Sequence, residues 1–93
     1  MQQLSEVVVT QAISDAARWR RSGLHLNVSI NISPPELLSG GLMPFIYKAL
    51  SRTSVPRDDI TIEVTEDTFI ADPERARELL LDIRRHGLRT SID

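Results

Sequence analysis

Three short stretches of this chain alternate apolar and polar residues in the same sense. In the first, Leu26, Val28, Ile30 and Ile32 alternate with Asn27, Ser29, Asn31 and Ser33. In the second, Ile60, Ile62 and Val64 alternate with Thr61, Glu63 and Thr65; in the third, Leu88 and Ile92 oppose Arg89, Ser91 and Asp93. A period of two predicts strands with one apolar and one polar face. The stretches begin about thirty residues apart, the length of a βα unit, which limits the folds open to the chain.

The segments between them read as helices. Residues 4–21 carry Leu4, Val8, Ala12, Ala16 and Trp19 at helical spacing, and Gly23 follows the expected C-terminus. After the strand over 25–32, Ser33 is placed as an N-cap, Pro34 suits the first helical position, and Glu36 completes the pattern of a capping box. Gly40-Gly41 interrupts this short helix, and residues 42–53 resume a helical pattern through Phe45, Ile46, Ala49 and Leu50. The run Val55-Pro56-Arg57-Asp58-Asp59 breaks the chain before the strand over 60–65. Asp72, Pro73 and Glu74 then open a helix whose apolar positions are Ala76, Leu79, Leu80 and Ile83 and which ends at Gly87.

Strands separated by helices should run parallel, with right-handed crossovers. A doubly wound sheet covered on both faces would carry more continuous apolar strands. The alternation fits a barrel better, with apolar faces under the helices and polar faces inside. The expected class is therefore α/β, a partial TIM-like (β/α) barrel with about three of the eight strands such a barrel needs.

At the carboxyl ends of the polar faces stand Asn31 or Ser33, Glu63 or Thr65, and Asp93. Active sites of (β/α) barrels lie at that end. An amide oxygen and two carboxylates are hard ligands suited to Mg²⁺ or Mn²⁺. The competing reading is a hydrated, hydrogen-bonded barrel mouth.

Composition narrows the classes. With 93 residues, 41% of them apolar, and 11 basic against 13 acidic residues, the balance is that of a globular chain near neutrality. Arg18, Arg20 and Arg21 cluster where cations complement a helix dipole, and no basic stripe suited to nucleic acid is present. The absence of cysteine excludes disulfides and thiolate metal sites. No apolar run approaches the ~20 residues of a membrane span, so any membrane anchor would lie in regions outside this sequence. His25 and His86 have no partners at zinc spacing and read as structural or surface groups. Gly40-Gly41 lacks the Lys and Ser/Thr of a phosphate loop. Trp19 reads as core or interface, and Asp72 and Glu74 as charges favourable to a helix N-terminus.

The runs VTQAISDAARWRRSG and LHLNVSINIS, followed by DDITIEVTED and HGLRTSID, resemble the central part of bacterial EAL domains, the cyclic di-GMP-specific phosphodiesterases. The N-[VI]-S-x-N-[IL]-S and E-[IV]-T-E blocks occur in that family's order. The resemblance implies a TIM-like barrel of which residues 1–93 are a central portion, incomplete at both ends. It implies that Asn31, Glu63 and Asp93 are ligands of Mg²⁺ or Mn²⁺, Asp93 matching the first aspartate of the family's DDFGTG block. For Glu66, the second glutamate of the EVTE block, a loop-orienting role is the most that follows. Read without the family, Asn31 caps the turn into Pro34, Glu63 is a paired strand-end carboxylate and Asp93 a frayed terminal acid.

The signature Glu-Ala-Leu strand and the later lysine, glutamate and glutamine positions of the family have no counterpart within these residues, so no catalytic residue is assigned and the segment alone is expected to be inactive. The resemblance leaves two classes open: a metal-dependent hydrolase converting cyclic di-GMP to linear pGpG, or a degenerate module that binds cyclic di-GMP or a protein without hydrolysis. Bacterial second-messenger signalling in the cytoplasm is the implied setting. The family is compatible with sensory or GGDEF domains elsewhere in the parent chain, and with a dimer or other self-association.

Overall fold

The computed structural model describes residues 4–93. The chain runs α1 (Leu4–Arg21), β1 (Val28–Ile32), α2 (Pro34–Ser39), α3 (Leu42–Ser51), a 3-10 turn (Arg57–Asp59), β2 (Ile60–Val64), α4 (Glu66–Ala71), α5 (Pro73–Arg85) and β3 (Arg89–Ile92). The three strands form one parallel sheet in the order β1-β2-β3. Val28 pairs with Ile60 and Ile32 with Val64, while Thr61 pairs with Arg89 and Val64 with Ile92.

The two faces of the sheet differ as the alternation requires. Ile30, Ile32, Ile60, Ile62 and Val64 are buried and join the core with Val9 and Ile13 of α1, Ile46 and Leu50 of α3, and Leu80 and Ile83 of α5. Each such side chain stabilises the fold by about 1.5–3 kcal/mol through transfer from water. The opposite face, carrying Ser29, Asn31, Thr61, Glu63, Arg89 and Ser91, is exposed or half-buried. Helices therefore cover one face only, and the polar face is left free for chemistry.

Local signals explain most element ends. Asp72 caps α5 by accepting from the Arg75 N–H at 3.2 Å, and Pro73 follows at the first helical position. Gly87 turns the chain from α5 into β3 at φ +87°, a conformation that costs any residue with a Cβ. A Cβ there would also sit 3.3 Å from Cβ of Arg57, so both the turn and its neighbour favour glycine.

Four expectations are corrected. The first strand begins at Val28 rather than residue 25, because residues ahead of it have no partner: β2 begins at Ile60, directly after the 3-10 turn. The buried face of α1 is Val9, Ile13 and Ala16, whereas Leu4 and Val8 are 79% and 55% exposed. The hydroxyl of Ser33 makes no bond to a helix N–H; it donates to Glu36 at 2.9 Å, and the Ser5 hydroxyl of α1 donates to the other carboxylate oxygen. Finally, α4 was not expected, since Glu66–Ala71 is only six residues long and has no apolar period of its own. No helix among the described residues is long and apolar enough to cross a membrane.

Candidate metal centre at the carboxyl ends of the strands

Asn31 and Glu63 are direct partners in the β1–β2 ladder, and Ser91 is the partner of Glu63 on β3. Partners in register point to the same face, so an amide, a carboxylate and a hydroxyl form one row across the polar side. Glu63 is half-buried on the central strand, and Asn31 is exposed on the edge strand.

Asp93 lies two residues past Ser91, about 7 Å further along the strand direction. Main-chain bonds hold it: its N–H donates to the Val64 carbonyl, and its own carbonyl accepts from the Glu66 N–H, both at 3.0 Å. Glu66 thus meets the end of β3 through its backbone. Its side chain is exposed in the first turn of α4, where a carboxylate suits the helix dipole.

The other asparagine of the polar run has different work. Asn27 donates its side-chain N–H to the Asp58 carbonyl at 3.0 Å and accepts from the Thr61 hydroxyl at 2.7 Å. It fastens the entry of β1 to the turn before β2, at the amino end of the sheet. Periodicity alone could not separate Asn27 from Asn31, because both fall on the same face.

The histidines sit away from this row. His25 Nδ1 lies 2.9 Å from Nη1 of Arg20, ahead of β1. His86, at the C-terminal end of α5, stacks on Tyr47 with ring centroids 3.6 Å apart. Tyr47 donates to Asp82 at 3.1 Å, joining α3 to α5. Burial, and then the Asp82 carboxylate, push the Tyr47 hydroxyl well above its ordinary pKa.

Among the described residues no group of three His, Cys, Asp or Glu side chains converges as a metal site. The row, together with Asp93 beyond it, instead offers two carboxylates and an amide, all oxygen donors on adjacent strands. That donor set fits a hard divalent cation and does not fit a soft one. Asn31 also borders a small pocket of about 170 Å³ with Glu36, toward α1. Ser91, the third member of the row, had not been singled out as a candidate, although the alternation already put it on the polar face.

The EAL domain family model matches residues 1–93. Among curated proteins, the chain is 30% identical over 86 residues to the signaling protein YkoW of Bacillus subtilis, covering 92% of this chain and 11% of that protein. It is 28% identical over 92 residues to the bifunctional diguanylate cyclase/cyclic di-GMP phosphodiesterase MucR of Pseudomonas aeruginosa, covering 98% of this chain and 13% of that protein. Among solved structures, a c-di-GMP complex of the PaMucR phosphodiesterase superposes with a TM-score of 0.91 at 28% identity, covering 98% of this chain and 37% of that one. The chain therefore spans a small part of each relative's length, and its parallel sheet and helices are a segment of a TIM-like barrel. The chain belongs to the EAL domain family.

Proposed function

We propose that the chain is the central portion of a metal-dependent phosphodiesterase domain that hydrolyses cyclic di-GMP to linear pGpG. The observation that carries this reading is the pairing of Asn31 with Glu63 at the carboxyl ends of parallel strands, on the one face that the helices leave uncovered. Relatives named as cyclic di-GMP phosphodiesterases supply the substrate class. A nucleotide messenger as substrate implies a cytoplasmic setting.

Asn31 would hold Mg²⁺ or Mn²⁺ through its amide oxygen, Glu63 through a carboxylate, and Asp93 through a second carboxylate. When bound, such a cation supplies activation of water and neutralisation of charge on a phosphate oxygen. Glu63 is fixed by neighbours on both sides, Asn31 and Ser91, so its carboxylate projects from the most constrained of the three strands. Asn31 adds a donor without adding charge, so Glu63 and Asp93 neutralise a divalent cation and no third negative charge is set against the phosphodiester. The reaction adds water to phosphorus, breaks one ester P–O bond and leaves a proton on the departing sugar oxygen.

The test is Glu63→Gln in the complete domain. Retaining the shape while removing a charge should lower turnover about 10²–10³-fold, the scale seen when one preorganised electrostatic group is lost. Added Mn²⁺ should restore part of the rate. Unchanged turnover would make Glu63 structural. An unmodified domain that binds cyclic di-GMP and never hydrolyses it would favour the non-catalytic module.

A further inference from the structure

α1, which precedes β1, and α3, which follows it after the short α2, pack side by side and leave between them a groove of about 490 Å³. Its apolar floor is formed by Ile13 and Ala17 of α1 with Phe45 and Ala49 of α3. Ala17 and Ala49, having short side chains, allow a close approach. From Thr10 to Arg21 the α1 wall extends about 16 Å at the helical rise, roughly three turns. The feature is an elongated trough rather than a round cavity.

Its charge is one-sided. Arg21, Lys48 and Arg52 line the groove, and no Asp or Glu does. Other cations are neutralised close by: Arg18 pairs with Asp15 at 3.1 Å and Arg20 with Asp59 at 3.3 Å. Arg21, Lys48 and Arg52 are exposed and make no ion pair among the described residues. Helix dipoles account for cations near helix C-termini in general, yet they do not require all three to flank one trough. Arg21 ends α1 and Arg52 caps α3, so positive charge gathers at one end of the groove.

We propose that this groove docks an acidic helix of a partner protein. The occupant carries an apolar stripe at positions i, i+3 or i+4, and i+7, which lies on Phe45, Ala17 and Ala49. Its carboxylates gather at the end that meets Arg21 and Arg52. Helix-in-groove recognition uses this combination of apolar anchors and complementary charge. The groove lies on the helical side of the sheet, opposite Asn31 and Glu63, so the occupant does not compete for the proposed metal centre.

The complete domain would be titrated, by fluorescence anisotropy, with a labelled helical peptide of about four turns bearing a leucine stripe and glutamates at one end. Control peptides carry lysines in place of the glutamates, or the glutamates moved to the opposite end. Expected are saturable binding of the first peptide, weakening as salt rises, and at least tenfold weaker binding of both controls. The exposed-residue variant Arg21→Gln/Lys48→Gln/Arg52→Gln should weaken binding at least tenfold while leaving phosphodiesterase activity unchanged, with only the small fall in unfolding midpoint that losing helix C-terminal cations entails. No binding by any peptide, equal binding of the lysine peptide, or undiminished binding to the triple variant would overturn the proposal. Preferential binding to vesicles containing anionic lipid over the acidic peptide would overturn it as well, by reassigning the groove to a membrane surface.

Discussion

Asn31 and Glu63 stand opposite each other as partners in the parallel β1–β2 ladder, on the face of the sheet that no helix among the described residues covers. Because side chains alternate with a period of two, a one-residue slip in register would send one of the two into the core. The buried partners Ile30–Ile62 and Ile32–Val64 prevent that slip. The apolar face of the sheet thereby fixes the geometry of the polar one.

This coupling makes the two residues non-additive. In the complete domain, Asn31→Ala should weaken Mn²⁺ binding measured by calorimetry, and less severely than Glu63→Gln, because a neutral donor is lost rather than a charge. If both hold one cation, the double variant should lose less than the sum of the single losses. Strict additivity would place them at separate sites.

Asn27 gives the contrasting case. Its amide joins the Asp58 carbonyl and the Thr61 hydroxyl at the opposite end of the strands. Asn27→Ala should lower stability to urea by about 1 kcal/mol, the net worth of exposed hydrogen bonds of this kind. Mn²⁺ affinity should be unaltered. A loss of affinity with unchanged stability would show that the assignment of the two asparagines is reversed.

Much of the fold was legible in the sequence because burial and periodicity say the same thing in β2: Ile60, Ile62 and Val64 are buried, and Thr61 and Glu63 between them are not. The break at Gly40-Gly41 and the Asp72 cap were equally plain, since each depends on one residue's local chemistry. Where tertiary context decides, the pattern misled. Val8 has the spacing of a core residue but is turned outward, and Val9 and Ile13 take the contact with the sheet. α4 was hidden because its start follows from the path of the chain after β2, not from a repeat. In the site, alternation and position at the carboxyl ends located the row, while the family resemblance alone singled out Asn31 over Ser33 and Glu63 over Thr65.

The Tyr47–Asp82 bond predicts a response to alkali. The folded hydroxyl has a raised pKa, first through burial and then through Asp82. Folding therefore favours neutral tyrosine. Its stabilising contribution is fully present below the ordinary tyrosine pKa of about 10 and is lost progressively as pH rises from there toward the raised value. Thermal unfolding of the complete domain should accordingly fall more steeply above that pH in the wild type than in Tyr47→Phe. Tyrosinate absorbance should appear later for the folded wild type than for the unfolded chain. Identical alkaline profiles for wild type and variant would show that the bond does not couple to folding.

The last prediction concerns the 93 residues as an isolated polypeptide, which should hydrolyse nothing. A parallel sheet of three strands cannot close into a barrel, so the outer edges of β1 and β3 retain unpaired main-chain groups, a template for association. Apolar side chains add to this: Leu4 is 79% exposed, Val8 55% and Ile92 50%. Two of the three proposed ligands lie on edge strands in such a fragment, Asn31 on β1 and Asp93 directly after β3, and both side chains are exposed. Glu63 alone sits on a strand with neighbours on both sides, and one carboxylate does not hold a catalytic cation. Light scattering should therefore report a mass above that of the 10.5 kDa monomer, and chromatography after incubation with cyclic di-GMP and Mn²⁺ should find no pGpG. Product formed by a stable monomer would contradict both halves of the prediction and would require the chemistry to reside in fewer residues than the barrel mouth provides.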